Sequence, residues 1–205
     1  MKNFLKIAVI AMALSATACS KDDDNVYVNM PSAKIEAENN NALLIPDAAN
    51  AATPSMVENN VTINNEATVG DASKVTISLD LVHTFATDLI VQLVSPSGEI
   101  CTLIKRPLFS ADNPSTDFVS GNIISFNANA FAGFGAIDGI VQAGTYVPTE
   151  GINTVPQDLH ATDLSEFFNE RNIKGIWKLR VFDYVQADTG KVNSWKITFD
   201  TGALK

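Results

Sequence analysis

Asp188-Thr189-Gly190 is the triplet that presents a catalytic carboxylate in aspartic proteases and in some serine proteases, and it is the first place in this chain where chemistry could reside. An aspartic protease needs two such carboxylates sharing one proton, so a single triplet would have to be doubled by dimerisation. A serine protease needs a Ser and a His held in register with the acid. The chain has two histidines, His83 inside "LDLVHTF" and His160 in "QDLHATD", and neither neighbours a Ser or Cys motif that would define a nucleophile. A second chemistry is open to the acidic residues. Asp88, Asp112 and Asp117 fall at expected loop positions, and Asp- and Asn-rich loops are what a hard cation such as Ca2+ needs for its six to eight oxygen ligands. The spacing is not that of an EF-hand, so a calcium site would be assembled from separate loops, and the same residues also favour turns for their own backbone hydrogen bonding.

The segments around the triplet favour a turn over an active site. In "WKLRVFDYVQADTGKVNSWKITFD", Trp177, Leu179 and Val181 alternate with polar residues, as do Trp195, Ile197 and Phe199. Two half-buried strands joined by a long hairpin loop are predicted, with Asp, Thr, Gly and Asn as the turn residues.

Upstream the same period of two continues. "KVTISLDLVHTF" puts Val75, Ile77, Leu79 and Leu81 on one face, and "DLIVQLVSPSGEICTLI" reads as two strands joined at Ser95-Pro96-Ser97-Gly98, which together predict an antiparallel meander. "GNIISFNANA" supplies another strand. "AFAGFGAIDGIVQAGTY" is Gly- and Ala-rich and reads as a loop, with no strand-to-helix context for binding phosphate. One short helix is predicted in "TDLSEFFNERNIKG", opened by Asp163 with Glu166 three residues later and closed before Gly175.

The N-terminus speaks to location. Lys2 and Lys6, the apolar run Ile7 to Leu14 and the small residues before Cys19 have signal-peptide architecture. Leu14 to Cys19 resembles the lipobox of bacterial lipoproteins, which implies that residues 1–18 are removed and Cys19 carries the lipid. Such an anchor holds a protein on a membrane effectively permanently. "SKDDDN" resembles the acidic tag of lipoproteins sent to the outer face of the outer membrane; a plain solvated linker is the alternative, as is a periplasmic orientation. Residues 19–42 read as an acidic, Asn-rich tether and 43–205 as one domain. The formal charge of −9 loses two lysines with residues 1–18 and becomes −11, which excludes nucleic acid and anionic surfaces as natural partners. With Cys19 lipidated, Cys101 has no disulfide partner and is expected as a buried small hydrophobe.

Taken in order, "LIPD" (Leu44 to Asp47), "LDLVHTFATDLIVQLVSPSGEICTLI", "GTYVP", "LSEFFNERNIKGIWKLRVFD" and "DTGKVNSWKITF" resemble the P domain, or P/Homo B domain, of kexin- and furin-like proprotein convertases. The most specific parts are Ser95-Pro96-Ser97-Gly98, Gly175-x-Trp177-x-Leu179, and Asp188-x-Gly190 followed by Asn193-Ser194-Trp195. Thr87-Asp88-Leu89 departs from the Gly-Asp-Leu usual in that family. The resemblance implies an all-β fold, a jelly-roll-like antiparallel β-sandwich with one short helix. It also implies a module that packs on and stabilises a subtilisin-like catalytic domain without cutting peptides itself. No stretch here resembles that catalytic domain. The expected function is therefore a non-catalytic surface module binding an external protein or glycan, with a role as accessory subunit of a separately encoded serine protease as the alternative.

Overall fold

The structure is a computed structural model that describes residues 31–50, 53–107, 116–133, 135–148 and 163–205. Residues 31–205 form one compact unit. The signal segment, Cys19 and the acidic run after it, Asp112 and His160 all lie outside the described residues. Among the described residues no helix is long and apolar enough to cross a membrane.

Alternating apolar residues build two sheets that share one core. The first holds β1 (Ile35–Asn39), β12 (Gly190–Phe199), β4 (Val75–His83), β7 (Ile124–Asn127) and β10 (Gly144–Tyr146) in that order, with β2 (Leu43–Ile45) also on β12. The second runs β3 (Ser55–Ile63), β11 (Gly175–Asp183), β5 (Leu89–Val94) and β6 (Ile100–Lys105). On β4 the residues Val75, Ile77, Leu79 and Leu81 are all buried, as the period of two requires. They meet Val91, Leu93, Trp177 and Leu179 of the other sheet in a single apolar cluster. The Trp177 and Phe199 rings, one from each sheet, lie 6.2 Å apart, and Phe168 packs within 5.8 Å of Trp177. The expected all-β sandwich with a short helix is what forms.

Several pairings differ from the sequence reading. β4 and β5 do not form a meander: β4 belongs to one sheet and β5–β6 to the other, and the chain crosses between them through a 3-10 turn at Ala86–Asp88. Likewise β11 and β12 are not the two arms of a hairpin, because β11 is already flanked by β3 and β5, and β12 by β4 on one side and β1 and β2 on the other. The segment between them is an arch from sheet to sheet. One pair, β7 with β10, is parallel, so the sandwich is mixed rather than wholly antiparallel. The stretch assigned to a tether contains β1, paired from Ile35↔Phe199 to Asn39↔Trp195, so the folded unit begins before Leu43. Its apolar residues are only Ile35 and Ala37, and a strand that adds to an existing edge needs few more.

The Gly-rich stretch after β7 also contains a small hairpin, β8 (Ala136–Ile137) with β9 (Ile140–Val141). Asp138 and Gly139, both at positive φ (52° and 75°), turn it. An Asp-Gly pair is the standard signal for such a turn. The helix α1 (Leu164–Phe168) starts where expected, with the Asp163 carboxylate accepting from the Ser165 and Glu166 N–H groups at 2.7 and 3.2 Å. It ends earlier, because Glu170 takes φ 52° and Arg171 donates its Nε to the Phe167 carbonyl. Gly175 then opens β11 instead of closing the helix.

Candidate functional site

The Asp188 triplet lies in the arch between the sheets, and each of its distinctive residues has a structural task. The Asp188 carboxylate accepts from the Thr84 hydroxyl at 2.5 Å, tying the arch to the end of β4. Gly190 is needed because a Cβ there would lie 2.2 Å from the Val82 carbonyl oxygen and 2.6 Å from the His83 ring. Just before the triplet, Ala187 takes φ 92°, and its N–H donates to both Asp47 oxygens of the "LIPD" segment at 3.1 and 3.0 Å. The triplet follows the turn at Gln186 and Ala187 and opens β12, held from two sides.

Around this arch five ionisable groups gather. His83, on the last position of β4, is sealed from solvent, with Nε2 3.3 Å from the Asp183 carboxylate, which is sealed too. Its Nδ1 lies 2.9 Å from the Phe85 carbonyl and 3.1 Å from the Phe85 N–H. Both ring nitrogens are thus occupied by an acid and by backbone, and no Ser, Thr or Cys side chain is hydrogen-bonded to the ring among the described residues. Asp183 is held further by the Val185 N–H at 3.1 Å. This is a buried His–Asp pair fastening β4 to β11.

Asp88 is the unbalanced member. It is 2% exposed, and one of its carboxylate oxygens has no hydrogen-bond partner. Burial, followed by the negative charges of Asp183 and Asp188, pushes its carboxyl up to about 6, while His83 and Arg106 pull the other way. The Thr116 hydroxyl is buried and unpartnered as well, and the Thr116 carbonyl accepts from the Ala86 N–H at 2.6 Å, in the turn that carries Asp88. Asp117 follows; burial and then Asp188 raise its carboxyl, and its backbone bonds to Gly139 and Val141 fix it beside the β8–β9 hairpin.

Asp88 and Asp117, both singled out from sequence as calcium ligands, therefore face the same third carboxylate, Asp188. His83 and Asp183 complete the group without having been assigned to it. Asp183 gave no sequence signal, since it sits on an inward strand position like the apolar residues before it. Among the described residues no group of three or more His, Cys, Asp or Glu side chains is placed to hold a metal ion. Cys101 is fully buried as expected, and burial pushes its thiol up to about 12, which leaves it inert.

A second feature lies at the opposite side of β5. The Ser95–Gly98 turn and the segment after α1 border an open cleft of about 530 Å3. Gly175, at φ 127°, seats the turn: a Cβ there would lie 2.7 Å from Pro96 Cβ. Arg171 crosses the floor, its guanidinium 4.5 Å over the Phe167 ring and bonded to the Ser95 and Ser97 hydroxyls and to Glu99.

A two-sheet sandwich closed by an inter-sheet arch, with a buried His–Asp pair fastening one sheet to the other, defines a β-sandwich module. Residues 72–133 and 150–199 match the proprotein convertase P-domain, and the chain belongs to that family. It is 30% identical over 163 residues to leupeptin-inactivating enzyme 1 of Streptomyces exfoliatus, covering 79% of this chain and 25% of that protein. The crystal structure of the Aeromonas sobria serine protease with its chaperone ORF2 aligns with 82% of this chain and 27% of the solved chain, at 15% identity and a TM-score of 0.37. The protease solved alone gives 14% identity and the same TM-score. The chain spans about a quarter of the length of each of these relatives.

Proposed function

We propose that this chain is a non-catalytic binding module, held on the outer face of an outer membrane by a lipid on Cys19, that presents its P domain to an external protein or glycan. The observation that carries this reading is the His83 environment. The one histidine among the described residues spends both ring nitrogens on Asp183 and Phe85, so it has no free nitrogen with which to act as a general base. Calcium belongs to the reading in one place. A cation beside Asp88 would neutralise a buried carboxylate oxygen that has no partner, and Asp112 and Asp117 are the other ligands this reading proposes.

A second reading makes the chain an accessory subunit of a separately encoded subtilisin-like protease. It is favoured by the match to a quarter of leupeptin-inactivating enzyme 1, in which the corresponding region is one part of a longer protein. A crosslinking pull-down from intact cells with the acylated chain as bait separates the two. Recovery of an envelope or extracellular protein or glycan supports the binding module. Recovery of a serine protease in stoichiometric amount supports the second reading, and a bait that crosslinks to nothing contradicts both.

A further inference from the structure

The cleft between the Ser95–Gly98 turn and the segment after α1 has a wall chemistry that points to one class of ligand. Its walls carry both signs of charge, and each charge is already answered. Arg171 is paired with Glu99. Lys174 is paired with Glu66 at 2.6 Å, and Lys205 with Glu170 at 2.5 Å. A free anion or cation would therefore meet an opposing charge beside every group that attracts it. What the walls still offer is uncharged or internally balanced polarity. Among the described residues the Asn169 side chain has no hydrogen-bond partner, the Glu99 side chain is 61% exposed, and the Ser97 hydroxyl lies between Glu99 and Arg171. A carboxylate presents two acceptors side by side and an amide presents a donor beside an acceptor, and both planar edges match the paired hydroxyls of a sugar ring, each of which can donate and accept.

The polar groups are also held in place before any ligand arrives. Arg171 is fixed at four points, by the Phe167 carbonyl and ring beneath it and by Ser95 and Ser97 in front. Glu99 receives Arg171 and the Ser97 hydroxyl, and these two hold its carboxyl down at about 2, so it is a fixed acceptor at any physiological pH. Pro96, clamped against Gly175, adds an apolar wall on which the C–H face of a ring can rest. Rigid polar groups are what recognition of a weakly binding, strongly hydrated ligand requires. The volume of about 530 Å3 lies within the range of small-ligand sites.

We propose that this cleft is a saccharide-binding site that takes a neutral, hydroxyl-rich oligosaccharide, with Asn169, Glu99 and Ser97 as its contacts and Arg171 as the residue that positions Glu99. The inference deepens the binding-module reading and rests on it by naming the ligand class and the place.

The test is a titration of the full chain, in a detergent without a sugar head group, against neutral gluco-, manno- and galacto-oligosaccharides and against sulfated and sialylated ones. Chemical-shift changes in the unaltered protein, confined to the Ser95–Glu99 and Asn169–Lys174 segments and produced by a neutral sugar, are the expected result. Asn169→Ala, exposed and outside the core, should then weaken binding about tenfold with an unchanged melting temperature. Shifts located elsewhere, preference for a charged sugar, affinity unaltered in Asn169→Ala, or no binding of any neutral sugar would each overturn the proposal. A protein partner captured in the crosslinking experiment while every neutral sugar fails would sink this inference alone and leave the binding module standing.

Discussion

Replacing Asp88 with Asn should stabilise the domain at neutral pH, an unusual expectation for a buried residue. The native carboxylate is 2% exposed, leaves one oxygen unpartnered and faces Asp183 and Asp188, so its ionised form is disfavoured and its carboxyl rises from the ordinary 3.8 to about 6. A carboxyl whose folded pKa is raised contributes stability that is fully present below its unfolded pKa and lost as pH rises through the folded one. A shift of about two units at 1.36 kcal/mol each makes ionised Asp88 cost roughly 3 kcal/mol. Between pH 5 and pH 8 the recoverable part is roughly 1–2 kcal/mol, or about 4 °C in Tm for a domain of this size. The carboxyls held below their usual range, Glu99, Glu36, Glu58, Glu66 and Asp71, give a small slope of the opposite sign near pH 5, where the unfolded carboxyls still bind some protons; Asp88→Asn shares that slope, so the difference between the two proteins reads Asp88. Asp117 is raised in the same direction as Asp88 and adds a smaller slope of the same sign. The assay is urea unfolding of residues 31–205 at pH 5, 6, 7 and 8 with chelator present, so that no cation substitutes for the proton. Native protein should lose stability as pH rises; Asp88→Asn should flatten most of that slope and exceed the native protein at pH 8. A variant that is weaker at pH 8 and retains the slope would refute the reasoning.

Other perturbations follow from the same geometry. Gly190→Ala drives a Cβ into the Val82 carbonyl, where only backbone could yield, and should cost about 3 kcal/mol in urea unfolding. Millimolar calcium should raise the melting temperature of native protein over chelator, by the equivalent of about 2.7 kcal/mol at one hundred times the dissociation constant, with the shift lost in Asp112→Asn; superimposable melts would remove the ion from the account. Cys19→Ala should release the chain from the membrane fraction with the sandwich intact, since residues 31–205 are compact by themselves; retention after a high-salt wash would contradict lipid anchoring.

The strands with alternation, β4, β11 and β12 above all, were legible in the sequence because one buried face imposes a period of two, whereas β5 and β6, buried on nearly every residue, were legible as apolar runs either side of the Ser95–Gly98 turn. Their partners were not. A strand such as β11 reads identically whether its neighbour in sequence pairs with it or lies in the opposing sheet, and only the prior occupation of both its edges by β3 and β5 decides. β1 escaped notice because an edge strand buries so little. β8 and β9 escaped because two-residue strands carry no period, although Asp138-Gly139 marked their turn. At the site, the acidic loop residues Asp88 and Asp117 were visible from composition. The reason they matter, a shared neighbour in Asp188 and a sealed His83–Asp183 pair, depends on residues about one hundred positions apart and had no local signal.

The Asp188 segment and the His83–Asp183 pair fasten the sandwich, and the proposed binding module requires that they carry no hydrolytic chemistry. Purified residues 31–205 and the Asp188→Asn variant, incubated side by side with a mixed peptide library and with an unfolded protein, test it most directly. Both should leave every substrate intact, with Asp188→Asn differing by a Thr84 hydrogen bond made to a neutral amide oxygen in place of a carboxylate, a loss of at most about 1 kcal/mol of stability. Sustained cleavage by the native protein that vanishes in Asp188→Asn at equal folded fraction would contradict it.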